Sequence, residues 1–404
     1  MANFNLTSAT NLFKIKYGKL SDNVYNSANV LLARTKKSFD FTGRQMFIPI
    51  PQTFNGGVGS GSLPTVNTAT YEDMILIAKK VYSRVEIDRE AIKASLNDEG
   101  AFVRGTKQVV QKGVESWMRN MSRILFNDGT GSVARGDGST NVLGTGTGGD
   151  PYVVVLNADT KEANIEEKDF LNYNAETTNL EVQAYDPATF TIDLVGTSAG
   201  LAALTGSGPV PTNVFLHMQG SKDNDPTGLK GVLDATSGTQ YTVPVTRRWQ
   251  AGAQIAAGGA GLTTDLLNQG MLEIQRKSGK VPNLILMSFD QYRKLLNIIE
   301  DQKQYIVEPR MQELKGKVSF RGIDFMSAAG SVPILPERFV ENDRVYLLND
   351  NWIEVHHRPD FGWFEDDGTV FLRKSDDDAY EARYGGYLEA RIVPNFHGTI
   401  TGLA

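Results

Sequence analysis

The sequence predicts an α+β fold built from more than one lobe, and three observations carry that reading. Over Ala101–Asp128 the residues Phe102, Val103, Val109, Val110, Val114, Trp117, Met118, Met121, Ile124 and Leu125 recur at steps of three and four. That spacing draws one apolar stripe along a helix of 3.6 residues per turn. Across 37–87, and again across 153–220, apolar residues fall into short, turn-bounded runs of strand type. From Thr264 onward helical and strand patterns interleave, as in a sheet covered by helices.

The totals set bounds. At 404 residues and 40% hydrophobic content the chain is long for a single domain, so two or three lobes are expected. Basic and acidic residues number 41 and 47, for a net charge of −6. No basic stripe or tail stands out, so sequence-specific nucleic-acid binding is not expected. There is no cysteine, which excludes disulfides and thiolate metal sites. The N-terminal stretch lacks the apolar run of a signal peptide, and no run nears the ~18–20 apolar residues of a membrane span. A soluble protein without a membrane partner is expected.

Residues 1–35 are polar up to Asp22–Ala33, a candidate short amphipathic helix, and read as an arm in need of a partner surface. From Lys37 the period becomes two, with Pro49 and Pro51 among Met46, Ile48 and Ile50, as suits an edge strand. Asn55–Ser62, NGGVGSGS, reads as a flexible tip, and Tyr71–Ile87 as one long strand. The hairpin over 36–86 buries too little to stand alone in water, so it must lie on the body or on a neighbouring subunit. Asp88 is placed to cap a short helix, Arg89–Leu96. Asn97 and Asp98 then offer side-chain oxygens to the long helix, and Gly129 a left-handed stop. At about 1.5 Å per residue that helix runs roughly 40 Å. Gly105 and Gly113 each cost about 1 kcal/mol against alanine and are candidate bend points.

Gly129–Asp150 reads as loop throughout, without the Gly-Lys-Ser/Thr ending that cradles phosphate. Within it Arg135-Gly136-Asp137 spells an adhesion tripeptide, best explained by chance in so glycine-rich a stretch. Strands at Val153–Asn157, Leu180–Tyr185, Phe190–Val195 and Val214–Gln219 predict an all-β subdomain. Asp223, Asn224 and Asp225 lack the spacing and closing glutamate of a calcium loop and read as a turn. Helices follow at Asp265–Ser278 and Phe289–Asp301, with strands at Pro282–Met287, Lys317–Phe320, Val345–Leu348 and Trp352–His356. The last strands, Val370–Arg373 and Tyr387–Val393, flank a charged loop, Lys374–Asp378, whose Asp376-Asp377-Asp378 reads as solvated acid.

Chemistry is sparse. His217, His356, His357 and His397 are the four histidines, none in a metal-binding spacing. Adjacent His356 and His357 in a strand point to opposite faces and do not readily share a metal. No nucleophile elbow or dinucleotide fingerprint occurs. No catalytic, cofactor-binding or metal residue is assigned, no cofactor is expected, and no enzymatic role is expected.

The order of the parts is more specific than any single motif. A polar arm, a glycine-tipped hairpin, a strand, a short helix and a long helix lead into Leu125-Phe126-Asn127-Asp128-Gly129-Thr130-Gly131. This order resembles the major capsid proteins of tailed double-stranded DNA phages, whose fold is shared with encapsulins and herpesvirus shells. In that family the spine helix ends in a Gly-Asp-Gly-Thr-Gly-like turn, soon followed by a Gly-Leu-x-Gly-hydrophobic segment. Here Asn127 replaces the first glycine, and Gly228-Leu229-Lys230-Gly231-Val232-Leu233 stands far downstream. Arg383–Val393 and the apolar tail after it are similar to the family's closing strand.

The resemblance implies an N-terminal arm at 1–35 and an extended hairpin loop with its strand at 36–86. It implies a peripheral domain at 87–131 and 361–393 with a spine helix at 101–128, an inserted β-rich domain at 132–226, and an axial domain at 227–360 and 394–404. It also implies a structural protein that self-assembles, through pentamers and hexamers, into an icosahedral or prolate shell around packaged double-stranded DNA held non-specifically. Portal and decoration proteins are the partners it implies. The lack of a long, charged helical N-terminal extension implies a separate scaffolding protein or an already mature form. The place implied is the virion capsid, assembled in the host cytoplasm. An encapsulin-like nanocompartment shell is the alternative, told apart by neighbouring genes. A glycan- or receptor-binding β protein, motivated by 150–220, leaves the long helix and hairpin unexplained.

Overall fold

A computed structural model describes residues 30–41, 43–53, 70–89, 99–138, 144–157, 160–161, 164–173, 179–196, 215–301, 323–327, 330–364 and 370–404. It is a mixed α+β molecule, organised around the helix Glu99–Phe126. From Val114 onward the apolar stripe is buried as its spacing requires, with Trp117, Met121, Leu125 and Phe126 nearly sealed from solvent. The helix lies across two long antiparallel strands, Lys79–Asp88 and Ala379–Ile392. Trp117 joins it to both: Nε1 donates to the Val81 carbonyl at 3.1 Å, and the ring meets Tyr384 edge-on.

The helix ends at Phe126, two residues before the expected Asp128. Asn127 and Asp128 turn their side chains on the backbone instead, a competition that polar residues win at helix ends. Asn127 Nδ2 donates to the Ser132 carbonyl at 3.0 Å, and Asp128 Oδ1 accepts from Thr130 N at 3.0 Å. Gly129 then takes φ +89, left-handed as expected but beyond Asn127 and Asp128, where the helix has already ended. Gly113 has a packing role. A Cβ there would lie 2.4 Å from Val85 Cγ2, so this glycine lets helix and strand approach closely.

The strand expected over Tyr71–Ile87 is two strands. Thr70–Ile77 pairs with Gln45–Thr53 in the hairpin, and Lys79–Asp88 crosses to the sheet under the long helix. Ala78 N donates to the Arg44 carbonyl at the corner, where no breaker residue announces the break. The sheet under the helix is completed by Ile353–Trp363, Lys36–Ser38 and Leu372–Arg373. Two of these strands outrun expectation, since Trp352–His356 becomes Ile353–Trp363 and Tyr387–Val393 becomes Ala379–Ile392. A short helix, Val30–Arg34, packs Leu31 and Leu32 into the same core.

A six-stranded sheet follows in the order Ser132–Arg135, Phe215–Met218, Phe170–Tyr173, Leu180–Asp186, Thr191–Gly196, Tyr152–Val155, every pairing antiparallel. It has its own core, including Tyr152, Val154, Leu171, Leu180, Val182, Ile192 and Leu194. Gly129–Asp150 is therefore not loop throughout, because Ser132–Arg135 is an edge strand of this sheet. Its two apolar residues, Val133 and Ala134, are too short a run to show a period. Phe190, expected to open a strand, instead closes the preceding turn at φ +52.

The third large sheet runs Ala253–Ala256, Gly398–Thr401, Val345–Leu348, Leu284–Met287, Gly330–Pro336, Ile323–Ser327. Val345–Leu348 and Leu284–Met287 are buried on both faces, as continuous apolar runs predict. Helices Thr264–Ser278 and Phe289–Asp301 accompany it, the first capped by Thr263 Oγ1 accepting from Leu266 N and stopped by Gly279 at φ +69. Strands Ile323–Ser327 and Gly330–Pro336 have no counterpart in the sequence reading. The expected Lys317–Phe320 strand, Arg89–Leu96 helix, Asn97-Asp98 cap, Asn55–Ser62 tip, the side-chain neighbours of Gly105 and the arm before Val30 lie outside the described residues.

Candidate functional site

The hairpin shows where this molecule is incomplete. One face of the ribbon is buried, with Met74 and Leu76 packed alongside Met46, Ile48 and Ile50 on Val243, Trp249 and Val393. Alternation puts Phe47, opposite Ile75, and Tyr71, opposite Pro51, on the other face. Phe47 is 58% exposed and Tyr71 59%, with Ile77 farther along the same strand. A two-stranded ribbon with an apolar face turned outward is a surface shaped for another protein.

The residues weighed as chemical candidates make contacts within the fold. His397 is fully buried, its Nδ1 accepts from Asn349 N at 3.1 Å, and burial pushes its pKa down to about 3. Burial also lowers His217 and His356; the latter lies 3.3 Å from Glu354. His357 meets Phe39 edge-on. Asp378 pairs with Arg89 at 3.2 Å and Asp377 with Lys374 at 3.5 Å. Arg135 lies in an edge strand and Gly136 bridges to Leu156, so the adhesion tripeptide is part of a sheet. Among the described residues no cluster of three or more histidine or acidic side chains could hold a metal ion.

Asp225 is the exception to the reading of 223–225 as a plain turn. Its Oδ2 lies 3.1 Å from Arg123 Nη2, and both side chains are buried. Arg123 sits on the face of the long helix that the stripe leaves polar, which gave no hint of burial. Three further ion pairs tie the β-rich sheet region to the rest: Arg119 to Glu166, Arg119 to Asp169 at 2.8 Å, and Lys161 to Glu341 at 3.1 Å. Burial would raise Glu341, but Lys161, Arg344 and Lys230 around it hold its carboxyl down at about 2.

The turn after the long helix and the segment 228–233 meet in space. A Cβ on Gly228 would fall 2.3 Å from the Ile124 carbonyl, and one on Gly231 2.5 Å from that of Asp128. Both positions therefore admit only glycine. Thr227 is fixed from the other side, where its N–H donates to Glu389 Oε1 at 2.8 Å. Glu389 is itself buried, which pushes its pKa up to about 8.

Residues 212–362 match the family model of the SU10 major capsid protein, a stretch that includes this glycine-pinned segment and most of the third sheet. The whole chain superposes on the cyanophage A-1(L) capsid subunit with a TM-score of 0.51 at 11% identity, covering 95% of this chain and 93% of that one. The fold is that of a phage capsid protein. Lower superpositions include Mycobacterium phage Bobi (TM-score 0.43, 9% identity, 93% and 91% covered). The virus-like particle of Pyrococcus furiosus gives a TM-score of 0.42 at 9% identity, with 97% and 99% covered. No curated protein matches by sequence.

Proposed function

We propose that this chain is the major capsid protein of a tailed phage, that it builds its shell from pentamers and hexamers, and that the hairpin at 36–86 is the loop each subunit lays on its neighbour. The outward apolar face of Phe47 and Tyr71 carries this reading. On it, 1–35 is the arm, 87–131 with 361–393 the peripheral domain, 227–360 with 394–404 the axial domain, and 132–226 an inserted β-rich domain. The separate core of the six-stranded sheet supports the insertion. The Ile353–Trp363 strand, paired to Ala379–Ile392, supports counting 353–360 with the peripheral part as well. Scaffolding, portal and decoration proteins complete the partners, and packaged double-stranded DNA is held without sequence preference, as suits a net charge of −6.

The test is electron microscopy and sedimentation of the purified chain beside a Phe47→Asp, Tyr71→Asp variant. The expected result is closed particles for the unaltered protein, and small oligomers with an unchanged melting temperature for the variant. A variant that closes particles as well as the parent would sink the role given to the hairpin.

A further inference from the structure

Where the hairpin root, the Lys79–Asp88 strand, the long helix and the turn at 219–225 meet, they leave an open cleft of about 1250 Å³. Five cationic side chains line it, Arg44, Lys79, Lys80, Arg123 and Arg358, against one carboxylate, Asp225. Arg123 lies buried in the wall, and beyond its contact with Asp225 its Nε and Nη1 have no hydrogen-bond partner among the described residues. Unmet donors on a buried cation are costly, and anionic oxygens are the acceptors that satisfy them best. Tyr82, 56% exposed, and Tyr387 add an aromatic wall, which favours a peptide over a bare ion.

The matching charge lies at the other end of the same sheet. Between Trp363 and Tyr380 the sequence holds six acidic residues, Glu365, Asp366, Asp367, Asp376, Asp377 and Asp378, and two basic ones, Arg373 and Lys374. Asp376 and Asp377 are exposed in the loop that precedes Ala379–Ile392. Tyr387, at the cleft, lies roughly 26 Å along that strand from Ala379 at about 3.3 Å per residue. The loop cannot fold back that far into its own cleft. A chain with a basic cleft at one end of a rigid sheet and an acidic loop at the other is complementary to its own copies, head to tail.

We propose that the cleft receives the acidic 374–378 loop of a second copy of this chain, a contact that rests on the reading of the protein as a self-assembling shell subunit. Such a contact uses two different patches, so it propagates around a ring and closes only if the rotation does. It sets which subunit edge meets which, while the hairpin supplies apolar area.

Charge reversal tests it. One variant carries Lys80→Glu with Arg358→Glu, a second Asp376→Lys with Asp377→Lys, and a third all four; every position is exposed, and thermal melts check that each folds. Each reversed pair alone sets like charges face to face and is expected to cut particle yield by about tenfold or more; the fourfold variant regains it. An acidic-loop reversal that assembles as the parent does, or a fourfold variant no better than either pair, overturns the contact. So does recovery of the cleft variant by Glu72→Lys with Asp73→Lys, which would make the hairpin the occupant. If the unaltered chain forms no particles, the shell reading falls and the contact with it. Particles indifferent to all these charges remove the contact alone.

Discussion

At the scale of single residues, the protein spends its polar groups on holding elements together. Gly113 shows how a sequence rule misleads when its context is hidden. A glycine inside a helix reads as a weak point, yet here it is the place where Val85 fits against the helix backbone. Alanine would gain about 1 kcal/mol of helix propensity but overpack the contact, which typically costs about 1–3 kcal/mol. Valine is stiff about χ1, so the neighbour yields little. Gly113→Ala should therefore lower stability by roughly 1 kcal/mol in urea titration, and a higher midpoint would restore the bend-point idea. Glu389 makes a separate prediction about pH. Its carboxyl is raised from the ordinary 4.5 to about 8 by burial, so the folded chain holds a proton that the unfolded chain releases. Its contribution is thus intact below pH 4.5 and is lost as pH rises from there through about 8. Glu389→Gln should flatten the fall of stability across that window; a variant with the parent's pH profile would show that the side chain is ionised in the native state.

Among the elements, legibility followed periodicity and length. The long helix, Phe289–Asp301 and Val345–Leu348 were visible because an apolar period or a continuous run persisted for several residues. Ser132–Arg135, Phe170–Tyr173 and Ile323–Ser327 were not, since strands of four or five residues with mixed burial leave too few positions to establish alternation. The break at Ala78 was invisible for another reason. Both flanking strands alternate well, and only tertiary pairing divides them between two sheets. The candidate site was legible in part: the hairpin followed from its period of two, while the ion pairs to Asp169, Asp225 and Glu341 join residues distant in sequence. The helix–strand contact itself is testable. Gly113 faces Val85 and, one turn on, Trp117 donates to Val81, so helix and strand run antiparallel and share a seam. Trp117→Phe keeps most of the apolar area but leaves the Val81 carbonyl unmatched, at a cost of about 1–3 kcal/mol. Equal stability of parent and variant would show that water or another donor reaches that carbonyl.

For the whole molecule, the central question is whether 132–226 can be removed. The ends of that stretch are neighbours, since a Cβ on Gly129 would lie 3.4 Å from Thr227 Cα. The six-stranded sheet keeps its own core, so its loss exposes little of the others. Joining Gly131 to Thr227 through a short linker should leave a folded chain. The join has a hidden cost, however, because Asp225 lies inside the deleted stretch and its partner Arg123 stays behind, buried. Removing one partner of a buried ion pair typically costs about 3–5 kcal/mol, far more than a surface pair. Arg119 and Lys161 differ from Arg123 in this respect. Arg119 becomes exposed when Asp169 and its sheet leave, and Lys161 departs with the deletion, while Glu341 keeps Arg344 and Lys230. A chain lacking 132–222, which retains Asp225, should therefore be more stable than one lacking 132–226 by a few kcal/mol, about the cost of the orphaned arginine. Adding Arg123→Met to the longer deletion should recover most of the difference, since methionine fills similar space without a charge. Urea titrations of the three chains decide the matter. Matching midpoints for the two deletions would mean that Arg123 reaches solvent once the sheet is gone, and insolubility of all three would mean that the sheet is integral to the body of the subunit.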